Sequence, residues 1–313
     1  MKRIFFFAAL VFAAASCEKT PQDFPIVGNF TLTGESTNAS TSSWYPGEQI
    51  GVFVTSDGVA QTNLLYVPSE TCEDKSMDLD GSKYWMFGEA IGNVTLTAKG
   101  EAAGFKQGVH TIYAYSPYNA AATDLTAVPM PDLANQDNTV YNGVSADPAL
   151  SFVYAKKEVK EYSTAPVDFG KFTCLTYALN TGSIEFADEA AVGKTLVKLV
   201  IKADKTIAYK NATFNLEEGK INGEASDITI KTNLTVDKSF SWITMADAVG
   251  TLDGARFVMV APATIDELKA MKFTFEGHLN DGSVYTQSGL TPTVYDLGDG
   301  AVMVSLAGAS LSK

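Results

Sequence analysis

The chain has 313 residues, of which 36 are Asp or Glu and 23 are Lys or Arg, for a formal charge of −13. So acidic a surface repels phosphate backbones, which excludes nucleic acid as a partner, and no Lys/Arg cluster is present that would dock on an anionic membrane. Hydrophobic residues make up 46% of the sequence, enough for packed cores in two domains of ordinary size.

In chain order, Lys2 and Arg3 precede the apolar run Ile4–Ala15, and Ala14-Ala15-Ser16 leads directly into Cys17. A spanning helix needs roughly 20 apolar residues, so this run is too short to cross a bilayer. A charged start, a short apolar stretch and small residues before a cysteine form a bacterial lipoprotein signal. The reading is a leader over residues 1–16, cleavage before Cys17 and acylation of its thiol. Losing Lys2 and Arg3 takes the charge of the mature chain from −13 to −15. Residues 17–27, polar and containing Pro21, read as a tether.

Beyond the tether the sequence alternates with period two in many short segments: Ile50–Val54, Val94–Ala98, Val109–Tyr115, Leu150–Tyr154, Phe172–Leu179, Val197–Ile201, Thr213–Leu216, Ser239–Thr244, Arg256–Val260, Met271–Glu276, Ser283–Gln287 and Val302–Leu306. Period two places alternate side chains on one face of a sheet. The dipeptides Asp57-Gly58, Asp80-Gly81, Asn142-Gly143, Asn222-Gly223 and Asp281-Gly282 are hairpin-turn signals. One helix is predicted, Ile265–Met271, with Thr264 and Glu267 forming a capping box, as a connector between strands. The pattern predicts an all-β chain with little helix, arranged as two tandem antiparallel β-sandwich domains at 28–185 and 186–313. No repeat of 20–50 residues marks a propeller or solenoid.

Chemistry-bearing residues are few. Cys72 and Cys174 remain once Cys17 is acylated, as one disulfide or as two buried thiols. No Cys/His cluster with metal-ligand spacing is present, so neither a metal nor a cofactor is expected. His110 lies in a predicted strand between aromatic residues and reads as structural; His278 reads as an exposed residue near a hairpin. Nucleophile-elbow, zinc-protease and phosphate-loop motifs are missing, and no residue is nominated as catalytic. Gly51 inside a strand signals close approach of another backbone, or a bulge. The tyrosines of Tyr113-Ala-Tyr-Ser-Pro-Tyr118 read as core and rim of a sandwich.

Four phrases carry a resemblance: Trp44-Tyr-Pro-Gly-Glu-Gln-Ile-Gly-Val-Phe-Val54, Asn63-Leu-Leu-Tyr66, Ile112-Tyr-Ala-Tyr-Ser-Pro-Tyr118, and Ile207-Ala208 followed by Ala212-Thr-Phe-Asn-Leu216 and Gly219. In order and spacing they resemble the fimbrillin family, the Mfa-like and FimA-like lipoproteins of Bacteroidales. The resemblance implies transthyretin-like sandwiches and a subunit of surface fimbriae that assembles by donor-strand exchange and serves adhesion. Its implied partners are other fimbrial subunits, the outer membrane through a lipid, and a host or bacterial receptor; its implied place is the cell surface.

On that reading Val302, Val304 and Leu306 form a candidate donor strand, and Ile26, Phe30 and Leu32 a candidate N-terminal strand. The only arginines are Arg3 and Arg256, so the arginine-specific trimming of the first strand found in some relatives has no site here. The alternative is a surface lipoprotein that binds glycans on exposed Trp44, Trp85 or Trp242, with Tyr84-Trp85-Met86-Phe87 as the best aromatic cluster.

Overall fold

The computed structural model describes residue 26 and residues 28–36, 44–56, 61–72, 77–79, 82–84, 91–137, 148–182, 184–236, 238–241, 246–249, 256–260, 264–296, 302–306 and 308–313. The chain is almost all β. Among the described residues there is one α-helix, Ile265–Ala270, and two short 3-10 turns, Pro148–Leu150 and Glu189–Ala191. Thr264 accepts a hydrogen bond from the Glu267 amide at 3.1 Å, so the helix begins at the predicted cap and links Arg256–Val260 to Phe273–Leu279.

The largest sheet has eight strands in the order Val167–Lys171, Leu32–Glu35, Val94–Ala98, Gln61–Pro68, Ile50–Ser56, His110–Ser116, Val153–Val159, Thr173–Cys174. Its first and last members are neighbours in the chain, with only Phe172 between them. The sheet therefore curls until its two edges meet at Phe172. Its concave face encloses Leu32, Ile50, Val52, Leu96, Ile112 and Ala114, sealed by Trp44 and Phe172.

The convex face of this sheet is covered as well. Phe53, Tyr113 and Tyr115 lie under Val128, Met130, Phe152, Phe214 and Leu216. This is why Ile50–Val54 is buried at every position instead of alternating. The cover comes from the hairpin Ala208–Asn215 with Lys220–Ser226, to which Val128–Pro129 adds a third strand.

That hairpin corrects one turn assignment. Asn222-Gly223 lies inside Lys220–Ser226, not at a bend. The chain reverses at residues 216–219, where the Asn215 side chain accepts from the amides of Glu217 and Glu218 and Gly219 adopts φ +66. Gly223 instead faces an irregularity between Lys210 and Thr213, where a Cβ would press on the Tyr209 Cβ and the Lys210 carbonyl. Asp281-Gly282 does form a turn, with Gly282 at φ +83 and the Ser283 amide bonded to Asp281.

The later strands form a sandwich. One layer runs Asn135–Asp137, Ile228–Thr235, Thr195–Ala203, Phe273–Leu279, Val284–Leu290; the other runs Arg256–Val260, Thr176–Asn180, Val302–Ser305, Thr293–Asp296. Their shared core holds Leu199, Ile201, Phe273 and Phe275 from the first layer and Leu179, Met259, Val302 and Val304 from the second. The sheets are mixed rather than purely antiparallel: Val167–Lys171, Asn135–Asp137, Val302–Ser305 and Ala309–Leu311 each have a parallel partner.

Candidate functional site

The motif residues converge on one corner of the curled sheet. Trp44 is fully buried, stands edge-on to Phe172 at 5.1 Å and donates its indole N–H to the Gly34 carbonyl at 3.1 Å. It thereby ties the turn at Pro46-Gly47 to the first long strand, and it contributes nothing to an exposed aromatic platform. Trp85 and Trp242 lie outside the described residues, as does most of the Tyr84–Phe87 cluster.

Immediately after that turn, Glu48 accepts from the Ser116 hydroxyl at 2.7 Å and from the Tyr45 amide at 2.9 Å. The residue is half-buried, with its carboxyl group turned inward. Burial drives its pKa up to about 7 against the opposing pull of the two hydrogen bonds.

Gly51 faces the ring of Tyr115, and a Cβ there would collide with that ring and approach the Asn63 amide oxygen at 2.8 Å. The close approach is thus a side chain and not a second backbone. A bulge is also present, between Val52 and Val54. The Tyr115 hydroxyl donates to Asn63 Oδ1 at 2.9 Å, and Asn63 Nδ2 donates to the Asn119 carbonyl at 2.9 Å. Burial pushes the Tyr115 phenol up to about 12. Tyr66 accepts from the Ala103 amide at 2.7 Å. Tyr113 and Tyr115 are core residues, 4% and 0% exposed, and Tyr118 is half-buried. The motifs thus encode a fixed polar clasp around buried aromatic rings.

Both histidines lie in strands. His110 is fully buried, stacks on Phe105 at 4.5 Å, accepts from the Lys106 amide at Nε2 and lies 3.0 Å from the Gly108 carbonyl at Nδ1. His278 is half-buried rather than exposed, because its strand is paired on both sides, with Lys198 and Val284 opposite it; burial and the neighbouring Lys198 hold its pKa down. Cys72 and Cys174 are both buried, as two separate thiols. Among the described residues no His/Cys/Asp/Glu group could hold a metal ion, and no helix is long and apolar enough to cross a membrane.

The candidate assembly strands are placed as follows. Phe30 and Leu32 are buried, at 5% and 0% exposure, while Ile26 is 44% exposed. Gly28–Asn29 pairs with Gly104–Phe105, and Leu32–Glu35 pairs on both sides within the curled sheet. Val302, Val304 and Leu306 are buried in the sandwich core, between Thr176–Asn180 and Thr293–Asp296. The short strand Ala309–Leu311 follows and pairs in parallel with Ile184–Phe186. Leu311 is fully buried over Gly277, where a Cβ would meet it at 2.9 Å. Cys17 lies outside the described residues.

Fold and motifs define an all-β module of buried aromatic clasps and paired strands. A family model described as fimbrillin-like matches residues 37–295, and the chain belongs to that family. No curated protein sequence matches it. Among solved structures, a candidate cell adhesion protein from Bacteroides uniformis is 15% identical, with 90% of this chain and 97% of that chain covered and a TM-score of 0.45. A fimbrial assembly protein from Parabacteroides distasonis is 12% identical, with coverages of 88% and 98% and a TM-score of 0.31. The tip fimbrial protein Mfa3 from Porphyromonas gingivalis, truncated at its C-terminus, is 8% identical, with coverages of 86% and 83% and a TM-score of 0.31. Family membership supports a fimbrial-subunit and adhesion role, a structural rather than catalytic part, contact with other fimbrial subunits and a place at the cell surface.

Proposed function

We propose that this chain is a surface lipoprotein, anchored in the outer membrane by an acylated Cys17, that joins other fimbrial subunits by strand addition and mediates adhesion without catalysing a reaction. The match to the fimbrillin-like family over residues 37–295 carries the reading. Strand addition supplies affinity through main-chain hydrogen bonds and specificity through alternate side chains entering core pockets. Val302, Val304 and Leu306 are the donor candidates; each fills such a pocket within its own sandwich, and an exchanged copy would fill the same pockets in a neighbour. Ile26, Phe30 and Leu32 belong to the strand region that would stay in place or be displaced on assembly.

Tyr295 and Met303 are cross-strand partners, which provides a test. Chains carrying Tyr295→Cys alone are mixed with chains carrying Met303→Cys alone and allowed to assemble on cells. A disulfide joining the two chains, formed in assembled material and missing from the monomer fraction, is the expected result. Assembled fibres without that crosslink would remove Val302–Leu306 as the exchanged strand.

A further inference from the structure

Six large hydrophobic residues stand out as exposed on the described surface, and three of them, Ile26, Val109 and Tyr162, at 44%, 45% and 40%, belong to one end of the curled sheet. Ile26 packs its side chain over Gly104, where a Cβ would meet it at 2.8 Å. Tyr162 lies across Gly28, its ring 5.5 Å from Phe105, and Phe105 stacks on His110, the residue after Val109. The same end gathers the start of Leu32–Glu35, the start of His110–Ser116 and the connection from Val159 to Val167. Charges beside the cluster are of both signs, Lys106 and Lys160 with Glu158 and Glu161, so the surface there is apolar with a mixed rim.

The chain enters the fold at this end. Cys17 precedes Ile26 by nine residues, and a fully extended tether of that length reaches about 30 Å. We propose that Ile26, Val109 and Tyr162 form a membrane-facing foot that rests on the outer-leaflet interface, with the acyl group on Cys17 holding it down; this rests on the lipoprotein reading above. Aliphatic side chains with a tyrosine among them suit the interfacial zone, where an apolar body is buried and a hydroxyl stays wet. The contact has to be apolar, because a mature chain of net charge −15 gains nothing from anionic headgroups. The foot fixes which end points outward: the hairpin tip at residues 216–219, beside Tyr154 at the opposite end of Val153–Val159, faces away from the bilayer.

The test uses the full acylated chain reconstituted in vesicles of phosphatidylethanolamine and phosphatidylglycerol. An environment-sensitive fluorophore is attached at Lys160→Cys, beside the foot, or at Glu218→Cys, at the far tip. Cys72 and Cys174 are buried and stay unlabelled. The position-160 label is expected to shift to the blue and to be quenched by spin-labelled lipid, and the position-218 label to keep its aqueous spectrum. Adding Ile26→Asn and Val109→Asn is expected to return the position-160 label to water while acylation is unchanged. Aqueous spectra at both positions, with mass spectrometry showing the acyl chains on Cys17, would overturn the foot and leave the anchor standing. An unacylated Cys17 would overturn both. A blue shift at position 160 that needs protein concentration and not vesicles would reassign the patch to contact between copies.

Discussion

Tyr115 packs its ring over Gly51 across the pair Ile50–Ser56 and His110–Ser116, and its hydroxyl is held by Asn63 and Asn119. The glycine makes room for the ring, and the ring closes the convex face of the sheet. Gly51→Ala forces the ring off its site and is expected to cost about 1–3 kcal/mol through overpacking. Tyr115→Phe keeps the ring, loses the hydroxyl bonds and leaves Asn63 partly unsatisfied, for about 1–2 kcal/mol. Urea midpoints of the two variants check the ranking.

Glu48 gives stability a slope with pH. Its folded pKa of about 7 lies above the ordinary 4.5, so the folded state holds the proton more tightly than the unfolded one. Stability is fully present below pH 4.5, declines as pH rises through 4.5 to 7, and is flat beyond. Glu48→Gln removes the charge and keeps one side-chain oxygen, which can accept from Ser116 or from the Tyr45 amide but not from both. Relative to the parent, the variant is expected to gain roughly 3 kcal/mol of stability between pH 4 and pH 8. Thermal melts at the two pH values measure the difference.

Phe214 joins the later hairpin to the curled sheet. It is fully buried, 5.6 Å from Phe152 and 4.6 Å from Tyr154. Phe214→Ala is expected to destabilise by about 3–5 kcal/mol. If the halves fold as one unit the parent shows one cooperative transition, and this variant splits it in two, which calorimetry resolves.

Cys72 and Cys174 are predicted to be inert thiols. Burial pushes the Cys174 thiol up, and its Sγ lies 3.0 Å from the Thr176 carbonyl. A thiol reagent is expected to find neither cysteine in the native protein and both in denaturant. A non-reducing digest that shows a Cys72–Cys174 crosslink would contradict this.

Much of the design was readable in the residues. Most period-two segments fell on strands, and Thr264 with Glu267 marked the helix start, because alternation and capping are local. The phrases from Trp44 to Tyr118 pointed to the family, and their physical content emerged only in three dimensions: Gly51 answers to Tyr115, 64 residues away in sequence, and no spacing rule carries that. Burial of both faces of Ile50–Val54 was hidden for the same reason, since the cover arrives from Phe214. Asn222-Gly223 misled because an Asn-Gly pair that suits a tight turn also suits a strand opposite a bulge. The parallel pairings were unreadable, as each joins segments far apart in the chain.

The seam at Phe172 also sets the order of events during folding. Thr33 meets Asp168 across 135 residues, so the sheet cannot curl shut until the chain is present as far as Cys174. Long-range pairing of this kind folds slowly. Through that interval Ile50, Val52 and Ile112 have no lid, and the half-made chain is at its most prone to clump. Refolding from denaturant is expected to be most prone to aggregation before the strand at Cys174 is in place.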